Sequence, residues 1–418
     1  MNYESQTPTP GEAESAADKS RATAPAKRSD AARASGRASL FHSLLRYAAQ
    51  QGPVHLRWDA VDVDQIEHIV KSGFAPLLWR MAVESGGPPP APWRDTLHAA
   101  DLVAQVFHGN ACDATVEIVD AARAGGAQVT LLKGLSIGEH YPAPHLRPMG
   151  DVDLLVAQRD RGWVESTMLR SGYVRMAGFQ EEEGDAHGTP LFRSDFGVWV
   201  EMHTGLFPEG DRLRSNRLFA PAELERHIVA STFQDRRVGR LREELQLVYI
   251  ASYWIRDLSN EGMHASFARP LLDAVYLLEA RQAKLDWDSM IAAVDNEVAM
   301  ASLYALLSYL STRGYSSVPQ RILAELARRQ SLVGRAELAV LGALTDAGLV
   351  GTRPRLAAFV ERHPMIGKSL LAPLFERGSH AGKILALPWA IVFPPTVAER
   401  YTWQYQRDRM RRLVARRH

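Results

Sequence analysis

The chain has 418 residues, with 49 Lys and Arg set against 48 Asp and Glu, for a formal net charge of +1. That balance excludes a global basic field of the kind that draws in nucleic acid, and a single cysteine, Cys112, excludes a disulfide framework. A hydrophobic fraction of 46% is ordinary for a soluble globular protein, and the length suffices for two domains and a tail. Cys112 stands in a helical pattern and reads as a small buried residue, in keeping with a reducing, cytoplasmic setting.

Residues 1–37 carry no continuous apolar run of the secretory type, and their Ala, Ser, Pro and charge content predicts a disordered tail. Over 38–126, apolar residues recur at three- and four-residue spacing in SLFHSLLRYAAQ and VDQIEHIVKSGFAPLLWRMAVES. After the break at Gly86-Gly87-Pro88-Pro89-Pro90, one long helix is predicted from about Trp93 to Ala124, ended by Gly125-Gly126. This helical segment is expected to pack on the core that follows.

At residue 127 the period changes. VTLLK and VDLLV are short, apolar and bounded by turn residues, as buried strands are. LSIGEHY and DRGWVESTMLRSGY read as helices, and 173–176, 190–194 and 198–203 as further strands. The order β-α-β-α-β-β-β predicts an α+β core with a mixed sheet over 127–220. From Pro221 the chain reads as helical again, through AELERHIVAS, REELQLVYIASYWIRDLS and later stripes, giving a helical domain over 221–383.

No apolar run reaches about 18 residues, so no transmembrane helix is predicted. ILALPWAIVFPPTV is too short and is broken by Pro388, Pro394 and Pro395. It opens a last segment, 384–418, which ends in a basic tail, either a solvated helix or a peripheral contact with an acidic membrane surface.

The chemistry concentrates in two strands. In DVDLLV, Asp151 and Asp153 share a face about 7 Å apart along the strand, by twice the rise per residue. An isolated D-x-D is more often a cap or an edge acid, but these two sit on a buried strand, where paired carboxylates need a cation between them. VWVEMH sets Glu201 and His203 on one face of another strand. Oxygen donors of this kind suit a hard divalent metal. Lys133 and Gly134 end the first strand, and Arg147 precedes the acids. For Lys133 the alternative is an amine stretched to solvent, for Arg147 a loop ion pair, and for His203 a hydrogen-bonded core histidine. His187 lies in the loop QEEEGDAHGTP as a pocket residue or part of a solvated turn. His140 and His145 lack partners at zinc spacing.

Together LLKGLSIGEHY, LRPMGDVDLLV, LRSGY, the His187 region and VEMH resemble the polymerase-beta-like nucleotidyltransferase superfamily over residues 129–206. The closer likeness is to a little-characterised bacterial branch with helical segments on both sides of the core. The resemblance implies that Asp151 and Asp153 are metal ligands and that Glu201 is the third carboxylate. It implies Mg²⁺, with Mn²⁺ as the alternative, and an NTP such as ATP as substrate. Gly134 matches the turn glycine, and Ser136, Lys133, Arg147 and His203 are implied nucleotide contacts. Leu135 follows Gly134 where the superfamily has Gly or Ser, with Ser136 one place later, and the span from Gly134 to Asp151 is longer than usual. The implied activity moves a nucleoside monophosphate from NTP to a hydroxyl or phosphate on an unidentified acceptor, whether small molecule, peptide or RNA. The alternative is an inactive member serving as a binding or assembly subunit. A glycosidase pair fits least, because acids adjacent on one strand do not flank a sugar ring.

Overall fold

The computed structural model describes residues 39–350 apart from 51–53, 55, 180–185, 187, 209–212, 214–216 and 261–267, together with 379, 380 and 382. The expected tails at 1–37 and 384–418, and His187, lie outside these residues. Among the described residues, four α-helices come first: α1 (Leu40–Ala48), α2 (Val63–Lys71), α3 (Ala75–Glu84) and α4 (Ala91–Ala124). A capping box starts α2, where Asp62 accepts from the Gln65 amide and Gln65 answers on the Asp62 amide. Gly73, at φ +80°, separates α2 from α3, and Pro76 opens α3.

The sheet has seven strands: β1 (Val129–Leu131), β2 (Asp151–Val156), β3 (Val174–Arg175), β4 (Leu191–Arg193), β5 (Val198–His203), β6 (Ile228–Phe233) and β7 (Arg236–Leu241). Their spatial order is β3-β4-β5-β2-β1-β7-β6. β2 runs parallel to β5 and β1 to β7, and the other pairs are antiparallel. Helix α5 (Lys133–Ile137) lies between β1 and β2, and α6 (Gln158–Arg170) between β2 and β3. The mixed α+β architecture is the one expected.

One expectation fails after Pro221. The helix predicted over AELERHIVAS is confined to α7 (Pro221–Leu224) and a single 3₁₀ turn, and the chain then forms the β6–β7 hairpin. Gln234 and Asp235, at φ 44° and 62°, make the two-residue left-handed turn that matches strand twist. The sheet therefore runs on to Leu241. Arg236, Arg237 and Arg240 break the apolar alternation that would have identified β7. Arg240 is buried all the same: it donates to the carbonyls of Leu135 and Ser136 and pairs with Glu139 at 3.1 Å.

Beyond the sheet come α8 (Glu243–Asn260), α9 (Ala268–Arg281), α10 (Trp287–Ala293), α11 (Glu297–Thr312), α12 (Gln320–Arg329) and α13 (Arg335–Val350). Two apolar clusters organise the whole. In the first, α4 and α6 cover one sheet face, with Ile118, Val119, Val164 and Met168 packed on Val152, Leu154, Val200 and Met202. In the second, Phe41, Leu44 and Leu45 of α1 join Leu271, Leu272 and Val275 of α9, so the N-terminal helices pack with the C-terminal ones. Leu155, on the opposite face of β2, belongs to this second cluster. Among the described residues, no helix is long and apolar enough to cross a membrane.

Candidate active site

The site follows from one register. In the parallel β2–β5 pair, Asp153 faces Glu201, Asp151 faces Trp199 and Leu155 faces His203. Alternation sends Val152, Leu154, Val200 and Met202 into the core beneath the sheet. Asp151, Asp153, Glu201 and His203 are thereby left together on the other face. One ligand atom from each of Asp153, Glu201 and His203 lies within 4.8 Å of the other two. Asp151 stands outside that group, so the tight set includes a histidine where a third acid was expected.

Asp153 is the hub. Its Oδ1 accepts from Lys133 Nζ at 2.6 Å and from His203 Nε2 at 2.8 Å, the imidazole nitrogen being the donor because a carboxylate can only accept. His203 Nε2 also lies 3.7 Å from Glu201 Oε2. Lys133 reaches inward to Asp153, against the solvent-facing alternative, and its backbone takes φ +37° at the start of α5. Its amine also lies 5.2 Å from the Tyr253 ring centre.

The electrostatics separate the two aspartates. Burial pushes the Asp153 carboxyl up, but Lys133 and the His203 hydrogen bond outweigh it and hold the group well below the carboxylate range. Burial works against the Lys133 charge, yet Asp153, Tyr249 and Tyr253 keep its amine well above the usual value. Asp151 has no such hydrogen-bond donor among the described residues, and burial followed by repulsion from Asp153 outweighs Lys133 and Arg269 and raises it from 3.8 to about 6. Burial lowers the His203 imidazole and so favours its neutral form.

A stability prediction follows for the metal-free protein. Between pH about 4 and about 6 the folded state keeps the Asp151 proton that the unfolded chain has lost. Folding stability therefore falls as pH rises through that window and stays lower above it. Asp151→Asn should gain on the order of 2–3 kcal/mol over wild type near neutral pH and nothing near pH 4. Urea unfolding in chelator at the two pH values checks this, and a variant less stable at neutral pH would refute it.

An open cavity lies over Asp151 and Asp153, while Glu201 and His203 stand outside its lining. The sheet side contributes Lys133, Gly134, Asp151 and Asp153, and helices α8 and α9 supply Gln246, Tyr249, Tyr253, Arg269 and Asp273. The helical residues were invisible as site residues in the sequence, where their stripes read as packing. A polar Gln246 sharing a helix face with Tyr249 and Tyr253 was the available signal.

Two implied nucleotide contacts are otherwise engaged. Arg147 directs Nε and Nη2 onto Asp273 at 3.0 and 2.8 Å, which realises the loop ion pair, and Nη1 faces the Pro148 carbonyl. Ser136 is buried outside the cavity wall, its carbonyl held by Arg240. Gly134 has a packing reason to be glycine: a Cβ there would lie 2.3 Å from Met149 Sδ and 3.2 Å from Arg147 Nη1. Leu135 joins the cluster beneath the sheet, which accounts for an apolar residue where the superfamily has a small one.

The family model described as uncharacterised nucleotidyltransferase matches residues 63–314. No curated protein and no solved structure matches the chain. The match runs from the start of α2 to just beyond α11, more than half the sequence, and the chain belongs to this nucleotidyltransferase family.

Proposed function

We propose that this member of the uncharacterised nucleotidyltransferase family moves a nucleoside monophosphate from an NTP to a hydroxyl or phosphate of an acceptor, with a divalent cation. The observation that carries the reading is the β2–β5 register, which sets Asp153 beside Glu201, with Asp151 on the same face and both aspartates lining a cavity. The donors fit a hard cation: two carboxylates within 4.8 Å across adjacent strands, and a third acid pushed up to about 6 by burial and by repulsion from Asp153. Asp153, Glu201 and Asp151 would hold Mg²⁺ or Mn²⁺, which when bound offsets the charge that builds on the phosphates.

The chain's own groups then have distinct parts. As the acceptor oxygen bonds to the α-phosphorus, the bridging P–O bond breaks and pyrophosphate leaves. Glu201, with its side chain 23% exposed, can take the acceptor's proton. Neutral His203 fixes the orientation of Asp153. Lys133 lies where its amine can pass from Asp153 to a phosphate oxygen.

One observation favours the inactive alternative. The Lys133–Asp153 ion pair at 2.6 Å already neutralises the most buried of the three proposed metal ligands, as a binding or assembly subunit would need. Labelled NTPs, Mg²⁺ or Mn²⁺ and cell extract, offered to wild type and to Asp151→Ala/Asp153→Ala, separate the readings. Label carried to an acceptor by wild type and lost in the double variant supports the enzyme. NTP binding without transfer supports the subunit, and binding of neither NTP nor metal defeats the proposal.

A further inference from the structure

Phosphate transfer does not need every polar group in the cavity. Gln246 is 3% exposed and lines the cavity wall, yet neither its amide oxygen nor its amide nitrogen meets a hydrogen-bond partner among the described residues. Burying both ends of a carboxamide unmatched penalises the fold, and a leucine would fill similar volume without that penalty. The arrangement suits a group kept for a ligand.

Its position along α8 says which part of the ligand. Tyr253 stands at the acid end, under the amine of Lys133 that contacts Asp153. Arg269, whose Nε also lacks a partner among the described residues, adds a cation to the cavity wall. Gln246 lies seven residues before Tyr253, about 10.5 Å back along the helix axis. From phosphates placed at the acids, that is the reach of a ribose and its base. Tyr249 and Ile250 form the wall between, offering flat and aliphatic surface to a ring. A carboxamide presents an acceptor beside donors and so pairs with a base edge that offers a donor beside an acceptor.

We infer that Gln246 reads the hydrogen-bonding edge of the nucleobase, so that the helical wall, rather than the sheet, recognises the base. The inference rests on the nucleotidyltransferase reading and adds the part of the substrate that α8 contacts.

The test compares the full chain with its Gln246→Leu variant by calorimetry in Mg²⁺. The probes are non-hydrolysable analogues of the four NTPs, together with inorganic tripolyphosphate, which has the phosphates and no base. Wild type should bind its best NTP more tightly than tripolyphosphate. Gln246→Leu should weaken that NTP about tenfold or more, leave tripolyphosphate within about twofold, and melt at or above the wild-type temperature. NTP affinity unchanged in the variant, as expected if only a buried water serves the amide, overturns the inference. So does an equal loss for both probes. If wild type binds tripolyphosphate but gains nothing from any base, base reading alone fails. If it binds neither probe, the nucleotidyltransferase reading fails too.

Discussion

Lys133→Met should destabilise the metal-free protein by about 3–5 kcal/mol and make its stability depend on a divalent cation. The Asp153 side chain is 4% exposed, and its charge is compensated by the Lys133 amine and a hydrogen bond from His203. Methionine keeps the length and the aliphatic packing of lysine but removes the charge. It also inherits the same φ of +37°, so backbone strain does not enter the comparison. What remains is a buried carboxylate with one uncharged donor, which must either take up a proton or recruit a cation. Thermal melts in chelator and in millimolar Mn²⁺ distinguish the two. In chelator the variant should melt well below wild type. In Mn²⁺ it should recover several degrees, because the cation no longer competes with the amine. A variant as stable as wild type in chelator would show that the ion pair is not what keeps Asp153 ionised. Loss of stability without recovery in Mn²⁺ would favour the non-catalytic reading.

The strands carrying the acids were legible in the sequence because a period of two is a local signal. DVDLLV and VWVEMH each show which residues share a face without reference to anything else. The pairing that makes a site of them was not legible, since the β2–β5 register joins positions about 50 residues apart. The same limit hid the cavity wall. Gln246, Tyr249 and Tyr253 sit in a helix whose apolar stripe explains itself as packing, and only the fold shows that one part of that stripe faces Asp153. The β6–β7 hairpin was missed for another reason. Its turn uses Gln234-Asp235 rather than a glycine pair, and its inner strand buries Arg240 against the carbonyls of α5. A buried arginine there reads as a surface charge. Leu135 gave the opposite lesson. Set against the superfamily's small residue it looks like a departure in the phosphate turn, but its side chain faces the core beneath the sheet.

The other large effect is expected at Asp273. This carboxylate is 3% exposed and accepts two hydrogen bonds from Arg147 and a third from the Tyr141 hydroxyl at 2.8 Å. Tyr141 in turn packs on Tyr276 with ring centres 4.1 Å apart. Asp273→Ala would leave the Arg147 guanidinium, 5% exposed, with the Pro148 carbonyl as its remaining acceptor. Removing one partner of such a pair should cost about 3–5 kcal/mol, most of it the penalty of the orphaned charge. The reciprocal change makes the point testable. Arg147→Met/Asp273→Leu removes both charges together and should recover most of the loss, since apolar pairs of similar volume are often no less stable than buried ion pairs. Urea unfolding of the three proteins measures this. A loss below about 1 kcal/mol in Asp273→Ala would mean that the pair is not what holds the site together. The consequence reaches the chemistry, because Arg147 and Met149 are the side chains that close over Gly134. Releasing Arg147 frees the loop in front of the acids. The double variant should therefore regain stability while still binding NTP more weakly than wild type.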